Sequence, residues 1–600
     1  MNRLGSPAFP VNIHTSQRLC RLIVFALLLL VSLRAEAYRV EIDAPKPLKD
    51  LLAQFLDLAR HEDREDLTAD QFDLMVARTP SQVAKLAATE GFFSTSTEVN
   101  VEQQSGTAVV RVTVTPGART VVSAADIEVK GAVSIQSPEQ AAQVRDGWSL
   151  NRGEPFRQEE WNAAKQRGLQ ALQRRRYAAA EIASSEARIL ADEHAAELNV
   201  IYDSGPVFTL GGLQIDGTER YPESIVRNLS PLREGEEYSA EKLLEFQRQL
   251  LRTPYFSNAV IDIQRDPSNA TLAPVNVRVT EFPTQRVRAG FGYTTDTGAE
   301  LEGRYSHHDM FGRAWVLDTQ TLLGQHRKLA SLGLAMPPGR RGFVNDIHTS
   351  FERTTLEGVD LRSWRVGAAR TRRTEHRDIA YSVEYYRDEL DLLNDATPPP
   401  GTIVRAGMNR ALVFGISSTR RKVDNDSFPR DGRIVTLQAG VAVKGLLTDQ
   451  TFVRAYGRVR EFIPIGRRNL FILRAELGAV VTKGGAEAVP ASLLFRAGGT
   501  DSVRGYAFQS IGNERGGTVY PTRVLATGSV EYQHWLSERW GGAVFYDVGM
   551  ASDRWSDRQL FHAVGAGVRW RSPVGRVNLD LAYGIDEGSI RPHVSLGVAF

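Results

Sequence analysis

The C-terminal half of this 600-residue chain alternates apolar and polar side chains in about sixteen short segments. In the final segment, Arg591–Phe600, apolar residues take every second position, and small or polar residues take the others. A strand with one face in lipid and the other towards a polar lumen has this period of two. Only helices and closed barrels satisfy all their backbone hydrogen bonds inside a bilayer. A soluble sandwich could supply one such strand, but so many in a row predict an all-β, 16-stranded transmembrane β-barrel over residues 284–600.

The N-terminus of the chain indicates export. Basic residues precede the apolar run Leu22–Leu33, and Ala35-Glu36-Ala37 matches an A-x-A cleavage pattern. The run is about a dozen residues long, whereas a spanning helix needs roughly twenty. We therefore predict a signal peptide over residues 1–37. It contains Cys20, the only cysteine, so the predicted mature chain has no disulfide and no cysteine nucleophile.

The overall charge excludes one class of partner. Lys and Arg total 73 and Asp and Glu total 71, so no strongly basic surface for nucleic acid is implied. Mean hydropathy is −0.27, a value also typical of water-soluble proteins. This average does not argue against a barrel, because the lumen faces of its strands are polar.

Residues 38–283 contain a repeat with a period of roughly 80 residues. Gly153-Glu154-Pro155-Phe156 and Gly235-Glu236-Glu237-Tyr238 precede the predicted helices Gln158–Arg174 and Ala240–Leu251. Each helix leads to an aromatic residue, predicted to fill the core, and then to a pair of strands. We predict three small α+β domains, each with a sheet edge that can accept an extended peptide by strand addition. Their predicted bounds are 38–116, 117–205 and 206–283.

The lengths of the predicted connections indicate in which direction each strand crosses the membrane. With the repeats in the periplasm, odd-numbered strands run outward, and long connections are expected after them. The two long connections, Leu392–Asn409 and Thr482–Pro521, both follow odd strands. The sixteen strands are predicted to begin near Arg286, Glu300, Ala314, Lys328, Val344, Leu361, Asp378, Arg410, Gly432, Thr451, Asn469, Thr522, Trp540, His562, Gly575 and Arg591.

Two acidic residues are predicted to line one part of the inner wall. In the twelfth strand Val530 and Tyr532 fall on the lipid face, which turns Glu531 inward, and in the thirteenth Tyr546 faces lipid, which turns Asp547 inward. An arginine could satisfy both carboxylates through charge-assisted hydrogen bonds. The alternative is that both are ordinary hydrated lumen charges.

The long connection after the eleventh strand carries the most specific motif. Val503-Arg504-Gly505-Tyr506 resembles the Val-Arg-Gly-Tyr loop of the POTRA-barrel outer-membrane assembly superfamily, which includes the BamA and TamA families. Phe545-Tyr546-Asp547-Val548-Gly549 resembles its F-x-D-x-G strand motif. Asn425–Gly432, which includes Phe428-Pro429-Arg430-Asp431-Gly432, resembles its periplasmic-turn signature. Gly565–Ala582 is most similar to the TamA family, the barrel subunits of the translocation and assembly module. The resemblance implies that Arg504 folds into the lumen and binds Glu531 and Asp547.

The resemblance also identifies the three α+β domains as POTRA-like and implies a weak barrel seam. Gly290 and Gly292 lie in the first predicted strand and Gly597 in the last, and glycine weakens strands. Such a seam could open towards lipid. The terminal Phe600 is expected to be an aromatic-girdle residue, an assembly signal, or both.

The implied function is assistance to the insertion or translocation of outer-membrane proteins such as autotransporters. It involves no covalent catalysis, cofactor or metal; His307-His308 is expected in a girdle or loop. Expected partners are a TamB-like periplasmic protein anchored in the inner membrane, unfolded outer-membrane clients, and outer-membrane lipid and lipopolysaccharide. The basic run Arg420-Arg421-Lys422 is expected to be solvated or to face lipopolysaccharide. The alternatives are a two-partner secretion pore with one dedicated client, or a passive porin.

Overall fold

The computed structural model describes residues 38–599, apart from 63, 65–66, 105–106, 357, 394–405, 427, 484–488 and 574. The predicted signal peptide, with Cys20, and the terminal Phe600 lie outside the described residues. Internal contacts divide the chain into two compact units. The first unit holds two α+β domains up to Thr209, together with the short pieces Glu237–Ser239 and Arg265–Thr271. The second unit holds a third α+β domain and the barrel.

Each α+β domain is built on a three-stranded sheet whose last strand lies in the centre. The first strand of each domain pairs with that central strand in parallel, and the second pairs with it antiparallel. Among the described residues, no helix is long and apolar enough to cross a membrane. The elements are β1 (Tyr38–Asp43), α1 (Lys46–Phe55), α2 (Asp57–Arg60), α3 (Ala69–Thr89), β2 (Ser96–Gln104), β3 (Thr107–Thr115), β4 (Val121–Lys130), α4 (Ala132–Gln136), α5 (Pro138–Asp146), α6 (Gln158–Gln173), β5 (Glu181–Leu190), β6 (Ala195–Asp203), β7 (Leu210–Asp216), α7 (Ser224–Leu229), α8 (Ala240–Leu251), β8 (Phe256–Ile263) and β9 (Ala273–Glu281).

Aromatic residues after the long helices fill the cores of these domains. Tyr177 follows α6, Tyr255 and Phe256 follow α8, and all three are buried. On the inner face of α8, Leu243 and Phe246 are also buried, at the helical spacing that the sequence shows. The prediction that these aromatic residues occupy the core is confirmed. Burial of such large apolar side chains is the main force that stabilises small sheets of this kind.

The second unit contains a closed barrel of sixteen antiparallel strands, each paired with its neighbours in sequence. The predicted count is confirmed, and no predicted start differs from the observed one by more than three residues. The strands are β10 (Gln285–Thr294), β11 (Gly298–Met310), β12 (Trp315–Gly324), β13 (Arg327–Ala335), β14 (Phe343–Leu356), β15 (Val359–Arg373), β16 (Arg377–Leu392), β17 (Gly407–Val423), β18 (Gly432–Ala442), β19 (Phe452–Ile465), β20 (Asn469–Thr482), β23 (Val524–Trp535), β24 (Trp540–Ser552), β25 (Phe561–Ser572), β26 (Gly575–Gly584) and β27 (Ser589–Ala599). A small hairpin within the long connection supplies β21 (Asn513–Arg515) and β22 (Thr518–Tyr520).

The two faces of the barrel strands follow the predicted alternation. Val530 on β23 and Val544 on β24 are 46% and 54% exposed, whereas Glu531 and Asp547 are 8% and 0% exposed. The apolar residues therefore face outward and the two carboxylates face inward.

The third α+β domain bonds to turns at one end of the barrel. The Tyr255 hydroxyl donates to the carbonyl of Ala314 at 2.8 Å, and the Asn228 amide donates to the carbonyl of Pro338 at 2.9 Å. Arg248 on α8 forms an ion pair with Glu375 at 2.9 Å. Ala314, Pro338 and Glu375 lie in the turns after the second, fourth and sixth barrel strands. The even-numbered strands therefore end on the side of the α+β domain.

Candidate functional site

The connection between β20 and β23 folds into the barrel lumen. Val503 and Tyr506 at its tip are fully buried, and Arg504 between them is 3% exposed. Gly505 has a φ of +91°, a left-handed conformation that favours glycine. A Cβ at this position would also lie 2.8 Å from the backbone nitrogen of Gly584 on β26. Glycine here therefore lets the loop backbone approach the inner wall closely.

The guanidinium group of Arg504 contacts both carboxylates that the sequence places on the inner wall. Its Nε and Nη2 donate to Oδ2 and Oδ1 of Asp547 at 2.7 and 2.9 Å, and its backbone N–H donates to Oδ2 at 3.1 Å. Its Nη1 donates to Oε2 of Glu531 at 2.6 Å. This is a forked arginine–carboxylate arrangement, in which geometry and charge both restrict the side chain. It fixes the loop tip to β23 and β24.

Three further charged residues complete the cluster, and sequence reasoning did not select them. Arg569 on β25 donates to Glu531 at 2.9 Å and to Asp580 at 2.5 Å, and Asp580 on β26 also accepts from Arg504 at 3.3 Å. Arg474 on β20 lies 3.8 Å from Asp547. Three carboxylates thus face three guanidinium groups. We call these six residues (Arg474, Arg504, Glu531, Asp547, Arg569 and Asp580) the ionic cluster.

The F-x-D-x-G motif forms the floor on which the loop tip rests. The carbon at the centre of the Arg504 guanidinium lies 3.3 Å from the ring centroid of Phe545. Asp547, two residues after Phe545, binds Arg504. Gly549, two residues further along, leaves the space that Val503 fills. A Cβ at Gly549 would lie 2.5 Å from Cγ2 of Val503. The motif therefore supplies a ring, a carboxylate and a gap along one inward face of β24, at the spacing of two that a strand requires.

Tyr506, the last residue of the loop motif, also holds the loop tip in place. The Tyr506 hydroxyl lies 2.8 Å from Oδ2 of Asp586 and 2.9 Å from the carbonyl oxygen of His562. Its ring meets that of Phe561 edge-on, with centroids 5.4 Å apart. The four residues of the loop motif thus contact β23 to β27 or their turns, and the ionic cluster joins five neighbouring strands.

The same loop reaches both strands of the closing seam. The backbone N–H of Thr500 donates to Oδ2 of Asp296, in the turn after β10, at 2.8 Å. The backbone N–H of Gly505 donates to Nε2 of His593 on β27 at 2.8 Å. The Thr500 hydroxyl lies 3.3 Å from Nδ1 of the same histidine. Asp296 and His593 are therefore bridged by the loop across the point where the barrel closes.

The seam itself is short. Among the described residues, β10 and β27 are paired from Gly290↔Ala599 to Thr294↔Ser595, with Gly292 opposite Gly597. On its other side β10 is paired with β11 over its whole length, from Gln285↔His307 to Thr294↔Gly298. The residues of β10 from Gln285 to Ala289 thus have no β27 partner among the described residues.

Comparison with known proteins places this arrangement in a family. Residues 310–600 match the Omp85 superfamily domain, and residues 208–281 match a POTRA domain described as a surface antigen variable number repeat. The chain belongs to the Omp85 superfamily. It is an outer-membrane protein whose POTRA domains lie in the periplasm. The turns that bond to the third POTRA domain accordingly mark the periplasmic end of this Omp85 barrel.

Curated relatives of this Omp85 protein are outer membrane protein assembly factors BamA. The protein from Nitratidesulfovibrio vulgaris is 25% identical over 435 residues, which cover 69% of this chain and 53% of that relative. The protein from Neorickettsia risticii is 24% identical over 408 residues, which cover 63% and 52% of the two chains. The chain thus spans about half the length of the curated relatives it matches.

A solved structure supports the fold of this Omp85 protein. BamA from Haemophilus ducreyi lacking POTRA domains 1–3 superposes with a TM-score of 0.60 at 15% sequence identity. The match covers 80% of this chain and all of that chain. At this identity the likeness supports the architecture of barrel and preceding POTRA domain, and no specific activity.

Proposed function

We propose that this protein is a TamA-like barrel subunit that assists the insertion or translocation of other outer-membrane proteins, such as autotransporters. Its BamA relatives are named as outer membrane protein assembly factors, which supports a role in the same class of process. The resemblance of Gly565–Ala582 to the TamA family supports the more specific assignment. The protein would provide surfaces for strand pairing and would carry out no covalent chemistry.

The single observation that carries this proposal is the unequal pairing of β10. Its backbone is fully paired with β11, but only its extracellular half, from Gly290 to Thr294, is paired with β27 among the described residues. In this proposal an incoming strand pairs with the backbone groups of the periplasmic half, from Gln285 to Arg288. Further client pairing would require the Gly290–Thr294 pairs to separate.

We propose that client strands pair with the edges of the POTRA sheets before they reach the barrel. The outer strands of these sheets are β1 and β2, β4 and β5, and β7 and β8. In β2, which runs from Ser96 to Gln104, most residues are exposed, and Val101 is 45% exposed. Such an edge can add an extended segment through backbone hydrogen bonds, with little demand on its sequence.

A long periplasmic protein of the TamB type, anchored in the inner membrane, is the proposed partner, and the first POTRA domain is its proposed contact. Affinity purification from detergent extracts of the native organism tests this assignment. Recovery of a long, membrane-anchored periplasmic protein is expected. Recovery of a secreted exoprotein instead would favour the two-partner secretion pore.

A reversible crosslink across the seam tests the proposed insertion route. Tyr293 and Leu596 are direct partners on β10 and β27, so the pair of changes Tyr293→Cys and Leu596→Cys should form a disulfide. We expect oxidation to abolish client insertion into vesicles and a reductant to restore it. No other cysteine interferes, because Cys20 lies in the predicted signal peptide.

A matched crosslink elsewhere serves as the control. Phe414 on β17 and Val441 on β18 are also direct partners on the outer face, 52% and 40% exposed. Their replacement by cysteine should lock two strands without affecting insertion. If the oxidised seam variant inserted clients at the rate of this control, a lateral route would be wrong. Export of one soluble client through a locked barrel would instead favour the secretion pore.

A further inference from the structure

A group of cations lies on the outer face of the barrel at its periplasmic end. Arg377 begins β16, on the same face as Tyr381 and Val383, which are 47% and 41% exposed. On β17, Arg420 and Lys422 continue the face of Phe414 and Ile416, which are 52% and 43% exposed. Arg433 on β18 continues the face of Leu437, which is 57% exposed. All four cations therefore point outward, next to the apolar surface that faces lipid.

These cations lie directly opposite one another across the strands. Arg377 is the partner of Arg420, and Lys422 is the partner of Arg433. Like charges at directly opposed positions are destabilising unless something neutralises them. Within the described part of the chain, Arg433 has one ion pair, with Glu461 at 3.6 Å, and no carboxylate lies within ion-pairing distance of Arg420 or Lys422.

Arg421 lies between Arg420 and Lys422 but on the opposite face of β17, so only one face of this strand carries the outward charge. Arg421 points inward and binds Asp378 at 2.6 Å. The run Arg420-Arg421-Lys422 is thus divided by strand alternation into one paired lumen residue and two outward cations. It lies at the periplasmic end, so the expectation that it faces lipopolysaccharide, which occupies the outer leaflet, is wrong in position.

The cations border a groove that also has an apolar side. Its volume is about 900 Å³, and its lining combines Arg377, Arg420, Lys422 and Arg433 with Val435 and Leu437. The basic surface continues onto β15, where the guanidinium groups of Arg370 and Arg372 lie 4.8 and 5.9 Å from the ring centroid of Phe343. A ligand that fits must carry negative charge at the barrel rim and an apolar chain along the strands.

We propose that this groove binds the headgroup of an anionic phospholipid of the periplasmic leaflet, with phosphatidylglycerol as the representative chemistry. The lipid phosphate would lie between Arg377, Arg420 and Lys422 and neutralise the opposed cations. One acyl chain would follow Val435 and Leu437. Basic pockets at the headgroup level of membrane proteins bind anionic lipids in this way. This site is independent of which client the barrel handles.

Lipid binding by the detergent-purified full chain tests the proposal. Native mass spectrometry would count bound dioleoyl phosphatidylglycerol and dioleoyl phosphatidylcholine after titration in mixed micelles. The intact chain should prefer phosphatidylglycerol, and the double variant Arg420→Ser/Lys422→Ser should lose roughly tenfold in apparent affinity for it. Inorganic phosphate in excess should displace little of the lipid, because it lacks the chain that Val435 and Leu437 contact.

Arg387 provides a matched control on the neighbouring strand β16. It is an exposed arginine on the outward face of β16, near the extracellular end. Arg387→Ser should leave phosphatidylglycerol binding unchanged, and heat-dependent migration on gels would show that each variant forms a barrel. Equal phosphatidylglycerol binding by the double variant and the intact chain would overturn the proposal. So would equal affinity for both lipids, or complete displacement by inorganic phosphate.

Discussion

The inner wall from β23 to β26 and the seam between β27 and β10 are stabilised very differently. At the wall, Arg504 bonds to Glu531, Asp547 and Asp580 in a buried ionic cluster. At the seam, five described residue pairs close the barrel, and the loop adds backbone hydrogen bonds to Asp296 and His593. One loop thus joins a rigid region to a weak one. The contrast predicts that the loop stays anchored at the wall and that the seam is the more easily separated of the two.

Removing the anchor should have the largest effect. Arg504→Ala leaves Asp547, which is fully buried, without its main cation, and it removes one of the two arginines that bind Glu531. Loss of one partner of a buried ion pair typically costs about 3–5 kcal/mol, so we expect the free energy of unfolding of the barrel to fall by that amount. Urea unfolding in detergent would measure it. Loop order and client insertion should fall as well.

Arg515→Ala is a suitable control for this change, because Arg515 is an exposed residue of the same loop. It should leave stability and insertion close to those of the intact protein. If crosslinks between the loop tip and β23 or β24 formed in Arg504→Ala as efficiently as in the intact protein, the anchoring role of Arg504 would be disproved.

A smaller loss is expected from Gly505→Ala, which leaves every charge in place. The new Cβ would occupy a strained φ of +91° and would meet the backbone of Gly584 at 2.8 Å. Backbone strain of this kind costs about 1–3 kcal/mol, and the loop tip should move away from β26. Hydrogen exchange of the Gly505 region, compared with that of β23, would detect the displacement. Unchanged protection near residue 505 would show that the close approach is unimportant.

Asp296→Ala tests the seam directly. It removes the acceptor for the Thr500 N–H, which should cost about 1.5–3 kcal/mol. The effect should appear as a lower disulfide yield between cysteines at 293 and 596, with the yield between cysteines at 414 and 441 unchanged. Loss of both yields together would indicate general unfolding and would contradict a local role at the seam.

Ser529→Ala should have the smallest effect. It removes a hydrogen-bonding group at the inner wall, as Asp296→Ala does at the seam. The Ser529 hydroxyl accepts from Arg504 at 3.4 Å and from Arg474 at 3.2 Å, but both arginines keep their carboxylates. We expect a loss of about 0.5–1 kcal/mol in urea unfolding and no change in seam crosslinking. A seam that loosened as much as in Asp296→Ala would show that wall and seam are tightly coupled.

Much of the candidate site followed from local sequence. The period of two placed Glu531 and Asp547 on the inner wall, because strand alternation depends only on neighbouring residues. The glycine-flanked Arg504 was associated with them through a family resemblance and not through spacing. The structure puts these three side chains in contact, while their role in assembly stays a prediction.

Other members of the site could not be selected from the sequence. Arg569 and Asp580 also alternate inward, but many lumen residues do, and nothing local tells which of them meets Arg504. The bridge from Asp296 to His593 joins residues at opposite ends of the barrel sequence, and it exists only because the barrel closes. The same holds for the outward cations, since Arg377 and Arg420 become partners through strand register.

By itself, the sequence determined the number of strands, their faces and the three α+β domains, because each depends on hydrophobic periodicity within a short segment. Tertiary structure alone decided which charges form the ionic cluster, how short the seam is and which cations gather at the periplasmic rim. The physical reason is that electrostatic contacts depend on distances of a few ångströms between distant parts of the chain. Those distances are set by closure of the barrel and by the register of its strands.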